Sequence, residues 1–247
     1  MAEPATAHRR LDKPCDGEPF WLGISVYMHY RVKTMLVKSE NAAKPITHAA
    51  GPVIEWLKQR PYTRSAMDYG CGKLRYTPHL AAKSRHLGIT DSSVQLDRIQ
   101  RIGGRVTSVR QYANEHWPNC HIYDLAQFWQ GIPCSYGFIL CANVLSAIPC
   151  PRVRAKSLRA LWAALTSNGR LLVVNQHSNS YFAETRHKSE AFAHLDGWVL
   201  QSRNGAAYYG ILNQESTIRV LTRFGFAVVD AWNNGQSNYV LVKRNTT

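Results

Sequence analysis

No stretch of the 247-residue chain is apolar for long enough to cross a bilayer, and the first twenty residues carry Arg9, Arg10 and Lys13 but no apolar core. A secretory leader and a membrane anchor are therefore not expected, and a cytoplasmic location is. The six cysteines, Cys15, Cys71, Cys120, Cys134, Cys141 and Cys150, include no C-x-x-C pair. Several sit inside apolar runs where a small buried hydrophobe fits, which argues for a reducing compartment and against a zinc site. Acidic residues are scarce: sixteen Asp and Glu stand against thirty Lys and Arg, a formal charge of +14. That surplus favours anionic partners, among them nucleic acid, nucleotides and acidic surfaces, although the cations are spread out rather than gathered in a dense run. Internal repeats and low-complexity tracts are missing too. The length suits one sizeable α/β domain, with or without an appended helical piece.

What is present is an alternation of strand and helix signals. Residues 1 to about 18 lack periodicity and read as a tail. Ile24, Tyr27, Met28, Val32, Met35 and Leu36 recur at helical spacing, predicting a helix from Trp21 to about Lys38, and a second helix is expected over about Thr47 to Gln59. Residues 1–60 thus read as a tail and helical cap, and 61–247 as the α/β domain. Beyond Pro61, short strands end in polar tips: Ser65-Ala66-Met67 at Asp68-Tyr69-Gly70-Cys71-Gly72, His86 to Thr90 at Asp91, Cys120 to Tyr123 at Asp124, and Tyr136 to Ala142 at Asn143. Asp91-Ser92-Ser93 can cap a helix from about Val94 to Ile102. A helix from Arg152 to Leu165 is expected to stop at Ser167-Asn168-Gly169, before a strand from Arg170 to Val174. The 176–212 insertion carries a hairpin signal around Asn204-Gly205, and Gln214 to Arg223, Phe226 to Val229 and Tyr239 to Val242 complete the series.

The first two tips carry the functional reading. Asp91 lies nineteen positions after Gly72, with a helical stretch between them. Such a pair suits a nucleotide-like ligand lying across the carboxyl ends of a parallel sheet. Gly70 and Gly72 allow a sharp turn and close approach, and a carboxylate at Asp91 can accept bonds from two ribose hydroxyls. A dinucleotide-binding dehydrogenase uses a similar carboxylate, but its glycine pattern would place a third glycine where Arg75 stands.

From about Ala66 onward the chain resembles the class I S-adenosylmethionine-dependent methyltransferases. Their glycine-rich first motif is similar to Met67-Asp68-Tyr69-Gly70-Cys71-Gly72, with Lys73-Leu74 as a departure after it. The resemblance implies a seven-stranded, mostly parallel, doubly wound α/β sheet of Rossmann-like type, to which the residue patterns add N-terminal helices and a β-hairpin insertion. It implies S-adenosyl-L-methionine as cofactor, no metal, and binding by Asp68, Tyr69, Gly70, Cys71, Gly72 and Asp91. Asp124 would lie near the adenine and Asn143 beside the methionine part.

Methyl transfer from a sulfonium asks the protein mainly to position the acceptor and exclude water. His177 and Tyr181, just past the fifth strand, are the candidate catalytic residues, His177 as a general base or as a polar loop residue. Trp198, Tyr208 and Tyr209 can stack on a flat acceptor or pack on the sheet. Tyr27, His29 and Tyr30 can cover the cofactor or anchor their segment. Asn143-Val144-Leu145-Ser146 lacks the Asn/Asp-Pro-Pro-aromatic tip used on base amines, and Pro149-Cys150 lies too far past the strand for a nucleophilic cysteine. A small-molecule acceptor is favoured. Nucleic acid would lead if Lys73, Arg75, Arg152, Arg154 and Lys156 lined one groove, and a non-catalytic binding protein on the same fold is the third reading.

Overall fold

The computed structural model describes residues 19–22, 25–176, 184, 187–202 and 205–245. Where a first helix was expected the chain instead forms three strands, β1 (Pro19–Leu22), β2 (Ser25–Val32) and β3 (Met35–Lys38). The reason lies in the residues: Val26, Met28, Tyr30 and Val32 alternate along β2, a period of two that outweighs the accidental helical spacing spread over the two arms of the hairpin. Lys33, at φ 53°, turns β2 into β3. The second expected helix survives as the shorter α1 (Gly51–Gln59), with proline in its first turn.

The central sheet is built from β4 (Thr63–Tyr69), β5 (Ser84–Asp91), β8 (His121–Asp124), β9 (Tyr136–Ala142), β10 (Leu165–Gln176), β14 (Phe226–Asn234) and β15 (Ser237–Arg244). Its seven strands run in the order β14-β15-β10-β9-β4-β5-β8. The β10, β9, β4, β5 and β8 neighbours are parallel, and β15 is antiparallel to both β10 and β14. This is the doubly wound, mostly parallel sheet expected from the sequence. Its strand order reverses direction between β4 and β9, the position where a crevice opens at the carboxyl edge.

Helices α2 (Thr77–Ala81), α3 (Ser93–Asp97), α4 (Val109–His116), α5 (Leu125–Gln130), α6 (Pro151–Ala164) and α7 (Gln214–Arg223) link these strands. Two expectations need correction. α3 ends at Asp97, because Gly103-Gly104, both at positive φ, turn a small hairpin of β6 (Gln100–Ile102) and β7 (Arg105–Thr107). Ser167-Asn168-Gly169 does not cap α6; the chain leaves the helix at Leu165, which already pairs with Tyr136, and a register irregularity before Arg170 absorbs these residues into β10.

The insertion supplies β11 (Ala191–His194), β12 (Gly197–Ser202) and β13 (Gly205–Gly210), the last two forming the expected hairpin. With the N-terminal strands it makes a second, six-stranded sheet, β1-β2-β3-β13-β12-β11, joined where β3 pairs with β13. This cap shares a core with one face of the central sheet: Tyr30, Val32, Val37, Val199 and Tyr208 pack in one cluster with Met67, Ile139 and Val173. Each fully buried valine there contributes roughly 1.5–3 kcal/mol. The other face of the sheet, with Ala66, Phe138, Leu140 and Leu172, packs with Val53 and Leu57 of α1 and Val109 and Ala113 of α4. Alternation along β9 and β10 thus sends successive residues to opposite cores, as a strand covered on both faces requires.

Candidate functional site

The site grows from the end of β4. Gly70 and Cys71 donate their N–H groups to Thr90 O at 2.8 and 3.1 Å, so the turn folds back over β5. Gly70 has φ 72°, and a Cβ there would stand 2.3 Å from Val144 Cγ2, so both conformation and space demand glycine. Gly72, at φ 56°, donates its N–H to Asp91 Oδ2 at 2.8 Å. Ser92 N–H reaches Asp91 Oδ1 at 2.7 Å, and Gln95 Nε2 donates to Gly72 O at 2.6 Å. Two backbone donors thus fix the Asp91 carboxylate, leaving each oxygen further acceptor capacity.

Asp68 lies 3% exposed beneath the turn, its Oδ2 taking the Thr77 hydroxyl at 2.6 Å. Burial pushes its pKa up to about 6, the Thr77 bond and nearby Arg75 acting against the rise. Burial likewise raises Asp91 to about 6 against its two backbone bonds. Asn143 holds φ 59° at the tip of β9, a left-handed geometry that asparagine tolerates. Its N–H donates to Val174 O at 2.7 Å and its Oδ1 accepts from Gln176 N–H at 2.9 Å, clamping the β9 tip to β10.

These elements surround a cavity of about 800 Å³, open mouth included, lined by Asp68, Tyr69, Gly70, Cys71, Gly72, Asp91 and Asn143. The Tyr69 ring itself is buried against Phe128, with 5.2 Å between ring centroids. Asp124 does not line the cavity. Its carboxylate caps α5 in a reciprocal pair with Gln127, at 2.9 and 3.0 Å, and the next residue, Leu125, forms wall instead.

The sequence reading missed Glu40, Lys44 and Gln95, which also line the cavity. Glu40 sits in a 3₁₀ turn, Ser39–Ala42, directly after β3, and only the pairing of β3 brings it over the site. It is 8% exposed; one carboxylate oxygen accepts from His29 Nε2 at 2.7 Å and the other is buried without a partner. Gln95 Oε1 is a second buried oxygen without a partner. No short motif marks these residues, though the Ser92 cap, accepting from Gln95 N–H at 3.2 Å, announces the helix that carries Gln95.

The cavity continues into a second chamber. Lys44, Arg75 and Asn143 line both, and Ser146, Gln176 and Tyr209 belong to the second. His177 and Tyr181 lie outside the described residues; Gln176, which precedes them, reaches the chamber wall. Trp198 lines neither chamber, and the Tyr208 hydroxyl is taken up by Asp196 and Arg154. His29 is committed to Glu40, Tyr30 and Cys150 are core residues, and Tyr27 has no described side chain. Among the basic residues, Arg75 lines the cavity, Arg154 is turned into an ion pair with Asp196, and Lys156 rests over the Trp129 ring at 4.7 Å. Among the described residues no three His, Cys, Asp or Glu side chains gather in a metal-binding group, and no helix is long and apolar enough to cross a membrane.

Solved structures share this architecture. An S-adenosylmethionine-dependent methyltransferase from Clostridium acetobutylicum ATCC 824 superimposes with a TM-score of 0.58 at 13% identity, over 83% of this chain and 94% of that one. The 1,6-didemethyltoxoflavin-N1-methyltransferase of Burkholderia thailandensis, solved with 1,6-didemethyltoxoflavin and S-adenosylhomocysteine, gives 0.55 at 13% identity over 80% of each chain. The N-methyltransferase NodS of Bradyrhizobium japonicum WM9 gives 0.52 at 15% identity, over 81% and 88%. At these identities the likeness is one of fold, and the fold is that of the class I S-adenosylmethionine-dependent methyltransferases. No family model matches the chain. The uncharacterized protein YmfD of Escherichia coli K12 is 33% identical over 217 residues, 87% of this chain and 96% of that protein. The chain belongs to the same family as YmfD, built on the methyltransferase fold.

Proposed function

We propose that this protein is an S-adenosylmethionine-dependent methyltransferase acting on a small-molecule acceptor. The observation that carries the reading is the cavity at the β4/β9 switch point, where the Gly70 to Gly72 turn is tied to Asp91 and faces Asn143. Its walls fit the cofactor. Asp91, Glu40 and the unpartnered Gln95 Oε1 form an acceptor-rich end suited to ribose hydroxyls, while Ala43, Leu125 and Val144 offer an apolar surface suited to a flat base. Three carboxylates, Glu40, Asp68 and Asp91, oppose a pyrophosphate, which weighs against a dinucleotide.

When bound, the cofactor supplies the activated methyl group. The residues of this chain bind, orient and exclude water. Asp91 accepts the hydroxyls, Gly70 and Gly72 allow close approach of the backbone, and Asn143 holds the β9 tip in place. The six-stranded cap contributes Tyr209 to the second chamber, and the turn that follows its β3 contributes Glu40 to the first. His177 and Tyr181 remain the proposed proton acceptor and acceptor-positioning group. A small acceptor is supported by the diversion of Arg154 and Lys156 away from the two-chamber cleft. Isothermal titration with S-adenosylmethionine and S-adenosylhomocysteine tests the proposal: micromolar binding is expected, and no heat at high micromolar ligand would overturn it.

A further inference from the structure

The charges in the cleft are sorted. The first chamber is lined by the carboxylates Glu40, Asp68 and Asp91, whereas among the described residues the second has no carboxylate in its wall. Lys44 and Arg75 stand where the two chambers join. Neither forms an ion pair with a described carboxylate. Lys44 is exposed. Arg75 makes one long bond, to His48 O at 3.4 Å, and lies against the Tyr76 ring at 5.2 Å. Its positive charge works against the burial-driven rise of the Asp68 pKa.

We propose that the second chamber takes a small acceptor bearing a carboxylate or phosphoryl group, which Lys44 and Arg75 grip. The proposal rests on the methyltransferase reading above. Two cations outside any ion pair with a described carboxylate raise the positive potential on the side of the second chamber. A guanidinium presents a fork that fits either anion, and an ammonium adds a point charge beside it. A sulfonium donor, when bound, would bring one more positive charge into the cleft. An anionic acceptor offsets that repulsion, and a neutral one leaves it standing. Asn143, Ser146 and Gln176 line the same wall and can orient the remainder of the molecule.

The test is a set of titrations on the full-length protein, followed by calorimetry, with the free protein and with protein saturated by S-adenosylhomocysteine. The probes are inorganic phosphate, citrate, and the matched pair benzoate and benzamide. At least one anion is expected to bind, benzamide is not, and Lys44→Ala is expected to weaken the anion by at least about tenfold while S-adenosylhomocysteine affinity stays within about twofold. Lys44 is solvent-exposed, and an unchanged thermal midpoint will show that the variant is folded. Arg75→Lys, which keeps the charge but loses the fork, is expected to fall between wild type and Lys44→Ala. Absence of anion binding, equal binding of benzamide and benzoate, or an anion affinity indifferent to Lys44→Ala overturns the proposal. So does an equal loss of S-adenosylhomocysteine affinity, which would assign the cations to the donor's own carboxylate. A single-stranded oligonucleotide that outbinds every small anion overturns it in favour of nucleic acid. Failure of wild type to bind S-adenosylhomocysteine instead sinks the methyltransferase reading, and the anion titration on the free protein then still reports on the chamber.

Discussion

The Gly72 N–H points at Asp91 Oδ2 from 2.8 Å, so the glycine turn after the first central strand and the carboxylate at the end of the second form one unit. Removing the carboxylate therefore loosens the turn as well as the proposed ribose contact. Asp91→Ala is expected to weaken S-adenosylhomocysteine binding by roughly 1.5–3 kcal/mol for each charge-assisted bond lost. In wild type the same carboxyl titrates near 6, so affinity should fall as pH drops from 7.5 to 5 and Asp91 takes up a proton. Calorimetry at both pH values checks this; equal affinity in variant and wild type would show that Asp91 does not hold the ligand.

Gly70 is constrained twice, by φ 72° and by Val144. Gly70→Ala should destabilise the fold by roughly 1–3 kcal/mol in denaturant unfolding, part steric and part conformational. Adding Val144→Ala should relieve only the steric part, since the backbone still sits in the left-handed region. Full recovery in the double variant would leave no role for the φ constraint.

Asp68 supplies a prediction about pH and stability. Its folded carboxyl titrates near 6 and its ordinary value is 3.8, so folding takes up a proton between those pH values. Stability accordingly falls as pH rises through that window and levels off above it, the buried charge costing roughly 3 kcal/mol at neutral pH. Asp68→Asn keeps an oxygen for the Thr77 hydroxyl and removes the titration. The variant should be more stable than wild type at pH 7.5 and nearly equal at pH 4; stability curves that run parallel across this range would contradict the assignment.

The cap is fastened through Arg154 of α6, whose guanidinium binds both oxygens of Asp196 at 2.6 and 2.8 Å and the Ile148 carbonyl at 2.8 Å. Burial alone would raise the Asp196 pKa, but the Arg154 bonds hold it below the usual range. Asp196→Asn leaves Arg154, 13% exposed, without its counter-charge, and because Asp196 is itself 31% exposed the cost should be below the roughly 3–5 kcal/mol of a fully buried pair. The loss should be local: proteolysis of the 191–210 strands should accelerate more than exchange of amides in β9. Equal acceleration in both would mean that cap and central sheet open as one.

Local chemistry made much of the site legible. Asp68-Tyr69-Gly70-Cys71-Gly72, Asp91 and Asn143 each follow a strand-like run, and the structure gathers them at one cavity. Asp124 follows a similar run, yet the Gln127 backbone N–H three residues on takes its carboxylate as a helix cap. Glu40, Lys44 and Gln95 carried no such mark, because their place in the cavity depends on which strand pairs with which rather than on their neighbours in sequence.

The sequence by itself determined the sheet. Short apolar runs ending in polar tips, separated by helix-length segments, impose parallel strands with right-handed crossovers, and the terminal pair closes as a hairpin. Only the tertiary structure decided the cap. The pairing of Ala206 with Val37 joins segments far apart in the chain, and no local periodicity can announce a partner at that separation. It joins the hairpin to β3, whose following turn brings Glu40 and Lys44 into the cavity wall that Arg75 also lines. The first chamber was thus written largely in local turns and strand ends, whereas the second takes part of its wall, Tyr208 to Gly210, from a distant hairpin.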